Sequence, residues 1–363
     1  MNNNQIRNYG IDQLRLLSMF YIVLMHALLQ GGILYHAVPG SVTYTIAWLM
    51  EVICYVSVDC FGLISGYVGY SEKVKVPHFS RWFSLWLEVM FYNLFIAVAM
   101  NIRSGVPDAA YYKYALLPVT SNTYWYFTAY TVLFICIPFL NAGVKQLNDR
   151  QLAALNYCMF VFFSIIETLC PVFRLENGYS FLWLAILYVF GASLKRLQNK
   201  LPGNKKCRIG IILCTVGLWL IIMAAGIGSS KEPTVSNKLL SYISPLVLIP
   251  SVCYVLLFSR KASPKKTGLL ISKYAANAFA IYLINTQPYF FNHILSGAFQ
   301  PLIDHSALFM VAVLLLFTCL FCIACLIIDR ARALLFHAVH LDQFSKALEK
   351  LVNRAFYSLL QVF

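Results

Sequence analysis

The chain has 363 residues, 60% of them hydrophobic and only 12% charged, about half the roughly 25% charged share of a soluble domain. That composition excludes a water-soluble globular protein and makes the bilayer its solvent. The net charge of +14 is read as a topology signal and an attraction to anionic lipid, with no nucleic-acid partner expected.

Apolar stretches of about 20 residues predict an all-α polytopic transmembrane bundle of about ten spans. They lie at residues 14–34, 42–69, 79–101, 122–140, 152–172, 179–196, 209–226, 239–258, 268–292 and 308–328. Connections are short and no repeat is visible, so residues 1–328 are expected to form one unit. The first run begins with Asp12 and Arg15 and lacks a small-residue cleavage site, which predicts an uncleaved span and not a signal peptide. With the N-terminus inside, the inner segments hold Arg7, Lys73, Lys75, Arg81, Lys145, Arg150, Lys195, Arg196, Lys200, Lys205, Lys206, Arg208, Arg260, Lys261, Lys265 and Lys266. The outer segments hold only Arg103, Lys113, Arg174, Lys231 and Lys238. That asymmetry predicts both termini in the cytoplasm.

Charges within spans are costly and therefore candidates for function. In the first span, Arg15 precedes His26 by eleven residues, close to three helical turns, which puts both on one face about 16 Å apart along the axis. Arginine stays protonated and offers a fork suited to phosphate, whereas neutral imidazole can take a proton from an attacking hydroxyl. The spacing matches the reach of an extended pantetheine arm. The structural alternative is an Arg15 that snorkels to the interface and a His26 that bonds a neighbouring helix.

Glu51 and Glu167 fall in the outer halves of their spans, where each either orients His26, contacts a sugar or is a structural carboxyl; Glu88 lies in an inner half. Asp12 either partners Arg15 or caps the first helix, with capping favoured. Asn148 and Gln151 fit a capping box before the fifth span. The clusters Lys205, Lys206, Arg208 and Lys265, Lys266 are placed by topology, with contact to nucleotide phosphates as the alternative.

The eleven cysteines lie mostly within apolar spans, as small hydrophobes and not as a disulfide framework. Cys319, Cys322 and Cys325 have the spacing of an iron–sulfur run but no fourth cysteine nearby, so helix packing is expected and no metal. After Asp329, Leu334, Leu335, Val339, Phe344, Leu348, Leu351, Val352 and Leu359 recur among Arg330, Arg332, Lys346, Lys350 and Arg354. This predicts an amphipathic tail, residues 329–363, on the cytoplasmic surface or against the bundle. No Walker loop, HExxH, EF-hand loop or GxSxG elbow occurs.

Ile11-Asp12-Gln13-Leu14-Arg15-Leu16 with Tyr21-Ile22-Val23-Leu24-Met25-His26 resembles the opening motif of the integral-membrane acyltransferases of acyltransferase family 3. Val58-Asp59-Cys60-Phe61-Gly62-Leu63-Ile64-Ser65-Gly66-Tyr67 is similar to that family's second-span segment, and a Gly after Ser65 permits close helix approach. Arg81 stands where the family has a basic residue opening the third span, with Trp86 where a Pro is common. Trp125-Tyr126-Phe127-Thr128-Ala129-Tyr130, Pro138-Phe139-Leu140-Asn141, Asn177-Gly178-Tyr179-Ser180 and Ala280-Ile281-Tyr282-Leu283-Ile284 extend the resemblance over nearly the whole chain. Asn285 stands where the family commonly has His, which takes position 285 out of the expected catalytic set.

The resemblance implies transfer of an acyl group, usually acetyl, from cytoplasmic acyl-CoA to a hydroxyl of an extracytoplasmic glycan or cell-envelope precursor, in a bacterial cytoplasmic membrane. It implies His26 as general base with Asp59 and Ser65 as further catalytic residues. Arg15 and Arg81 would hold acyl-CoA, and Trp125, with Glu51 and Glu167, would meet the acceptor. A transporter or flippase for a glycan or lipid-linked precursor is the competing expectation, and a sensory or scaffolding protein a third.

Overall fold

The structure, a computed structural model, describes residues 8–72, 78–104, 109–228, 238–261 and 265–360. Arg7, Lys73, Lys75 and Lys231, used above for topology, lie outside them. The described residues form helices and connecting turns, with no strand among them. Apart from short turns and a short helix at Ala109–Leu116, the helices are α1 (Tyr9–Leu29), α2 (Val42–Cys54), α3 (Ser57–Gly69), α4 (Phe79–Ser104), α5 (Trp125–Gln146), α6 (Asp149–Phe160), α7 (Phe181–Leu197), α8 (Asn204–Gly228), α9 (Pro245–Ser259), α10 (Lys265–Ala275), α11 (Phe279–Asn285), α12 (Ala307–Ala338) and α13 (Leu341–Leu360).

Eight helical segments among the described residues are long and apolar enough to cross a membrane. The other two expected spans occur as shorter pieces: α9, with Pro245 at its start, and the pair α10 and α11. Large apolar side chains such as Phe139, Leu213, Leu308 and Leu316 point outward, which is the surface that lipid requires and water forbids.

Local chemistry sets the helix starts. Asn8 accepts from the Ile11 N–H (3.2 Å), Ser41 from Tyr44 (3.1 Å), Ser180 from Trp183 (3.2 Å) and Ser306 from Phe309 (3.3 Å). The expected capping box is present, with Asn148 and Gln151 exchanging hydrogen bonds of 2.9 Å. The expectation that Asp12 caps α1 fails. Asn8 takes the cap, and Asp12, already inside the helix, accepts from the Arg15 guanidinium (3.3 Å) and the Ser272 hydroxyl (2.8 Å), joining α1 to α10.

The centre of the bundle is the crossing of α3 and α7, where backbones nearly touch. A Cβ on Gly66 would lie 1.9 Å from the Tyr188 carbonyl oxygen, and one on Gly191 2.0 Å from that of Leu63. Small residues let helices approach where lipid supplies no hydrophobic drive between them. Gly191→Val is therefore expected to remove most of the folded protein, because the helices must separate or strain and overpacking alone costs about 1–3 kcal/mol. Size-exclusion of detergent-solubilised protein checks this: a monodisperse peak at wild-type yield contradicts it.

The apolar runs conceal interruptions. The second span breaks at Tyr55 and Val56 between α2 and α3; the ninth breaks at residues 276–278 and ends at Thr286. The fifth carries a π turn over Val161–Ile166, where the Ser164 hydroxyl reaches the Ile243 carbonyl (2.6 Å). Broken backbone at membrane depth is tolerated where it is packed in protein or borders a cavity, and the first two interruptions border one.

A buried charge cluster fixes the ninth-span break from below. Asp329 receives the Tyr92 hydroxyl (2.8 Å), the Asn277 amide and the Arg332 Nε (2.5 Å), and Arg332 also meets Glu88 (3.5 Å). Glu88 is thereby a paired structural carboxylate. Asp329 lies within α12, which continues to Ala338, so the change of character placed at 329 falls inside a continuous helix. The turn comes at His340, in the left-handed region at φ 56°. Helix α13 then packs on α4 through Ser345 and Ser84 (3.2 Å) while Phe344 and Leu351 stay exposed. Along α12, Cys319 is exposed and Cys325 buried.

Candidate active site

Helix α1 is unbroken from Arg15 to His26, so their offset becomes about 16 Å along one face at 1.5 Å per residue. Met19, Ile22 and Met25 fill that face between them and, with His26, wall an internal cavity of about 310 Å³. The interrupted spans supply the opposite sides: Glu51, Tyr55, Val58 and Phe61 from the second, and Phe279, Tyr282 and Thr286 from the ninth. Trp125 and Tyr126, at the start of α5, and the loop residues Tyr179 and Tyr242 complete it.

His26 borders this cavity, and its Nδ1 meets the side-chain oxygen of Asn285. An amide oxygen only accepts, so in this pairing Nδ1 is the donor and Nε2 carries the lone pair. Phe291 packs edge-on against the ring at 5.2 Å and 89°. The hydrogen bond to a neighbouring helix, expected of a purely structural histidine, is thus present and uses one nitrogen only. The second nitrogen makes no hydrogen bond to a described residue.

Glu51 is 2% exposed, lines the cavity, and its Oε2 has no hydrogen-bond partner among the described residues. Beside it stands a continuous aromatic wall. Tyr55 lies 4.8 Å from Tyr242, Tyr242 5.1 Å from Tyr179, and Tyr179 4.7 Å from Trp125, centroid to centroid. Glu51 and all three tyrosines line the same cavity.

At the other end, Arg15 and Arg81 both act on the Tyr130 hydroxyl, and Arg15 also on Tyr126. Tyr126 and Tyr130 are one turn apart on α5, and Tyr126 also lines the cavity. Ser65 donates to the Phe61 carbonyl (2.9 Å) and faces Tyr126.

The expected site residues therefore divide. His26, Glu51 and Trp125 share the cavity, whereas Arg15, Arg81 and Ser65 do not line it; Ser65 bonds Phe61 and Tyr126 and not the imidazole. Asp59 is fully buried behind the wall and accepts from the Trp183 indole N–H (3.0 Å); it does not line the cavity. This follows from α3 turning its Asp59, Gly62 and Gly66 face onto α7. Glu167 is also outside the cavity: its carboxylate receives the N–H groups of Val172 (2.8 Å), Phe173 (2.7 Å) and Leu175 (2.9 Å). Its acceptor-contact role is replaced by organisation of the loop after the fifth span. Asn285 joins the site through its bond to His26, and Tyr126 lines the cavity.

Fold and site define a polytopic helical membrane protein with a histidine-bearing internal cavity. A family model described as an acyltransferase domain, acyltransferase family 3, matches residues 8–329, and the chain belongs to that family: it is a membrane acyltransferase. No curated protein and no solved structure matches the chain.

Proposed function

We propose that the protein moves an acetyl group from acyl-CoA, presented on the cytoplasmic side of a bacterial cytoplasmic membrane, to a hydroxyl of an extracytoplasmic glycan or cell-envelope precursor. Both termini are then cytoplasmic. The observation that carries this reading is one unbroken helix face with the Arg15 cation at one end and, about 16 Å away, a cavity in which Asn285 leaves His26 Nε2 free. Arginine pairs with phosphate bidentately, so Arg15 and Arg81 suit the nucleotide end of the donor, and the passage past Tyr130, Tyr126 and Met19 suits its pantetheine arm.

The chemistry runs through His26. Nε2 takes the acceptor hydroxyl proton as the oxygen attacks the thioester carbonyl; the new C–O bond forms, the C–S bond breaks, and the imidazolium returns its proton to the departing CoA sulfur. Asp59 and Ser65 act on packing and passage, and the charge cluster at Asp329 holds the ninth-span break that carries Asn285.

Arg15→Ala is expected to raise the KM for acetyl-CoA by about 10- to 10²-fold, matching loss of a charge-assisted contact worth roughly 1.5–3 kcal/mol, with Arg15→Lys recovering part. Initial rates with radiolabelled acetyl-CoA and purified protein measure it. An unchanged KM in folded Arg15→Ala protein assigns the residue to anchoring. A flippase, the competing reading, gives no covalently labelled acceptor in the same assay.

A further inference from the structure

We propose that the acceptor glycan carries a free, protonated amine, which Glu51 recognises in the cavity while a neighbouring hydroxyl faces His26. This deepens the glycan reading above and rests on it. A buried carboxylate normally has a cation or several donors beside it. Glu51, in contrast, keeps one oxygen without a partner and lines an open cavity. The carboxylates of Asp12, Glu88, Asp149 and Asp329 have ion-pair partners, and Glu167 has three N–H donors. Asp59 also keeps one oxygen without a partner but does not line the cavity; Glu51 thus differs from all of these in presenting an unpartnered oxygen to the cavity, and no Lys or Arg among the described residues lines that cavity with it.

The surroundings fit a cationic sugar better than a neutral one. Faces of Trp and Tyr attract a positive group through the ring quadrupole, and Tyr55, Tyr179, Tyr242 and Trp125 form a contiguous set of such rings around Glu51. The same rings offer flat apolar surface to the C–H face of a pyranose. A neutral acceptor leaves the carboxylate buried beside hydroxyls alone, whereas an ammonium supplies the missing charge and donors together.

The amine is a recognition handle and not the nucleophile. His26 has Asn285 and Phe291 as its neighbours, whereas Glu51 sits among Tyr55, Tyr179 and Tyr242. Base and carboxylate hold different parts of one cavity, so a sugar seated with its ammonium on Glu51 turns another substituent toward Nε2.

Purified full-length protein in detergent is titrated with a β-linked glucosamine oligosaccharide and with its fully N-acetylated counterpart, following Trp fluorescence. The amine-bearing probe is expected to bind at least about 30-fold more tightly, because removing one partner of a buried charge pair has an effect of that size or larger. Glu51→Gln, which keeps shape and hydrogen bonding but not charge, is expected to abolish the preference while retaining folded yield. Equal binding of the two probes, a preference unchanged in Glu51→Gln, or binding of neither overturns the proposal. Because the readout is binding, amine-selective binding without acyl transfer overturns the enzymatic reading alone. Charge-blind binding with intact transfer overturns only this inference.

Discussion

His26→Gln is expected to lower acyl transfer by about 10²–10⁴-fold at equal folded protein and equal acetyl-CoA affinity. A hydroxyl attacks a thioester poorly until its proton is taken, and a positioned base contributes that factor, equivalent to roughly 3–5 kcal/mol of barrier. The Gln variant separates the two roles of the imidazole. An amide can still hydrogen-bond Asn285 across the helix contact, so packing survives, but it cannot accept the proton. Single-turnover rates of transfer from labelled acetyl-CoA give the result. A rate within about threefold of wild type makes His26 a packing residue.

Asn285→Leu is expected to lower kcat by about 10²-fold while leaving the KM for acetyl-CoA unchanged. The substitution keeps the branched shape at Cγ but removes the oxygen that holds the imidazole, so the ring is free to rotate and to place its proton on Nε2. Misplacement of a reacting group by about 1 Å already produces a loss of that order. Loss confined to kcat distinguishes an orienting residue from one that shapes the donor passage, which would raise KM. An Asn285→Leu enzyme with wild-type kcat means that the Asn285 contact is incidental.

Asn285 also marks where sequence reading stops. Substitution of the family's usual His removed it from consideration, yet the structure gives it the contact that holds the His26 imidazole. The two residues are 259 positions apart, and no local pattern reports such a meeting. By contrast, the Arg15–His26 offset was legible because helical rise alone fixes it once the helix is unbroken. The capping box at Asn148 and the close approach at Gly66 were legible for the same reason, each being short-range or steric.

Apolar content identified the membrane-spanning segments but not their interruptions. Tyr55–Val56 is as hydrophobic as its flanks, and only packing around a cavity reveals why the backbone breaks there; at residues 276–278 the polar Asn277 is a lone local signal whose partner, Asp329, comes from another helix. Carboxylates were the other weak point, since Asp12, Glu51, Asp59 and Glu167 look alike as isolated acids in apolar runs. Their partners, respectively Arg15 with Ser272, none for one oxygen, a tryptophan N–H, and three backbone N–H groups, come from other helices or loops.

Discontinuous helices are also found in transporters, where they line substrate sites, so covalent transfer across the membrane is the decisive property. Right-side-out membrane vesicles containing the protein are loaded with radiolabelled acetyl-CoA, and envelope glycan is supplied only outside. The account predicts label covalently attached to the external glycan with wild-type protein and its loss with His26→Gln. External glycan that stays unlabelled with active wild-type protein, or label that appears equally with His26→Gln, contradicts it.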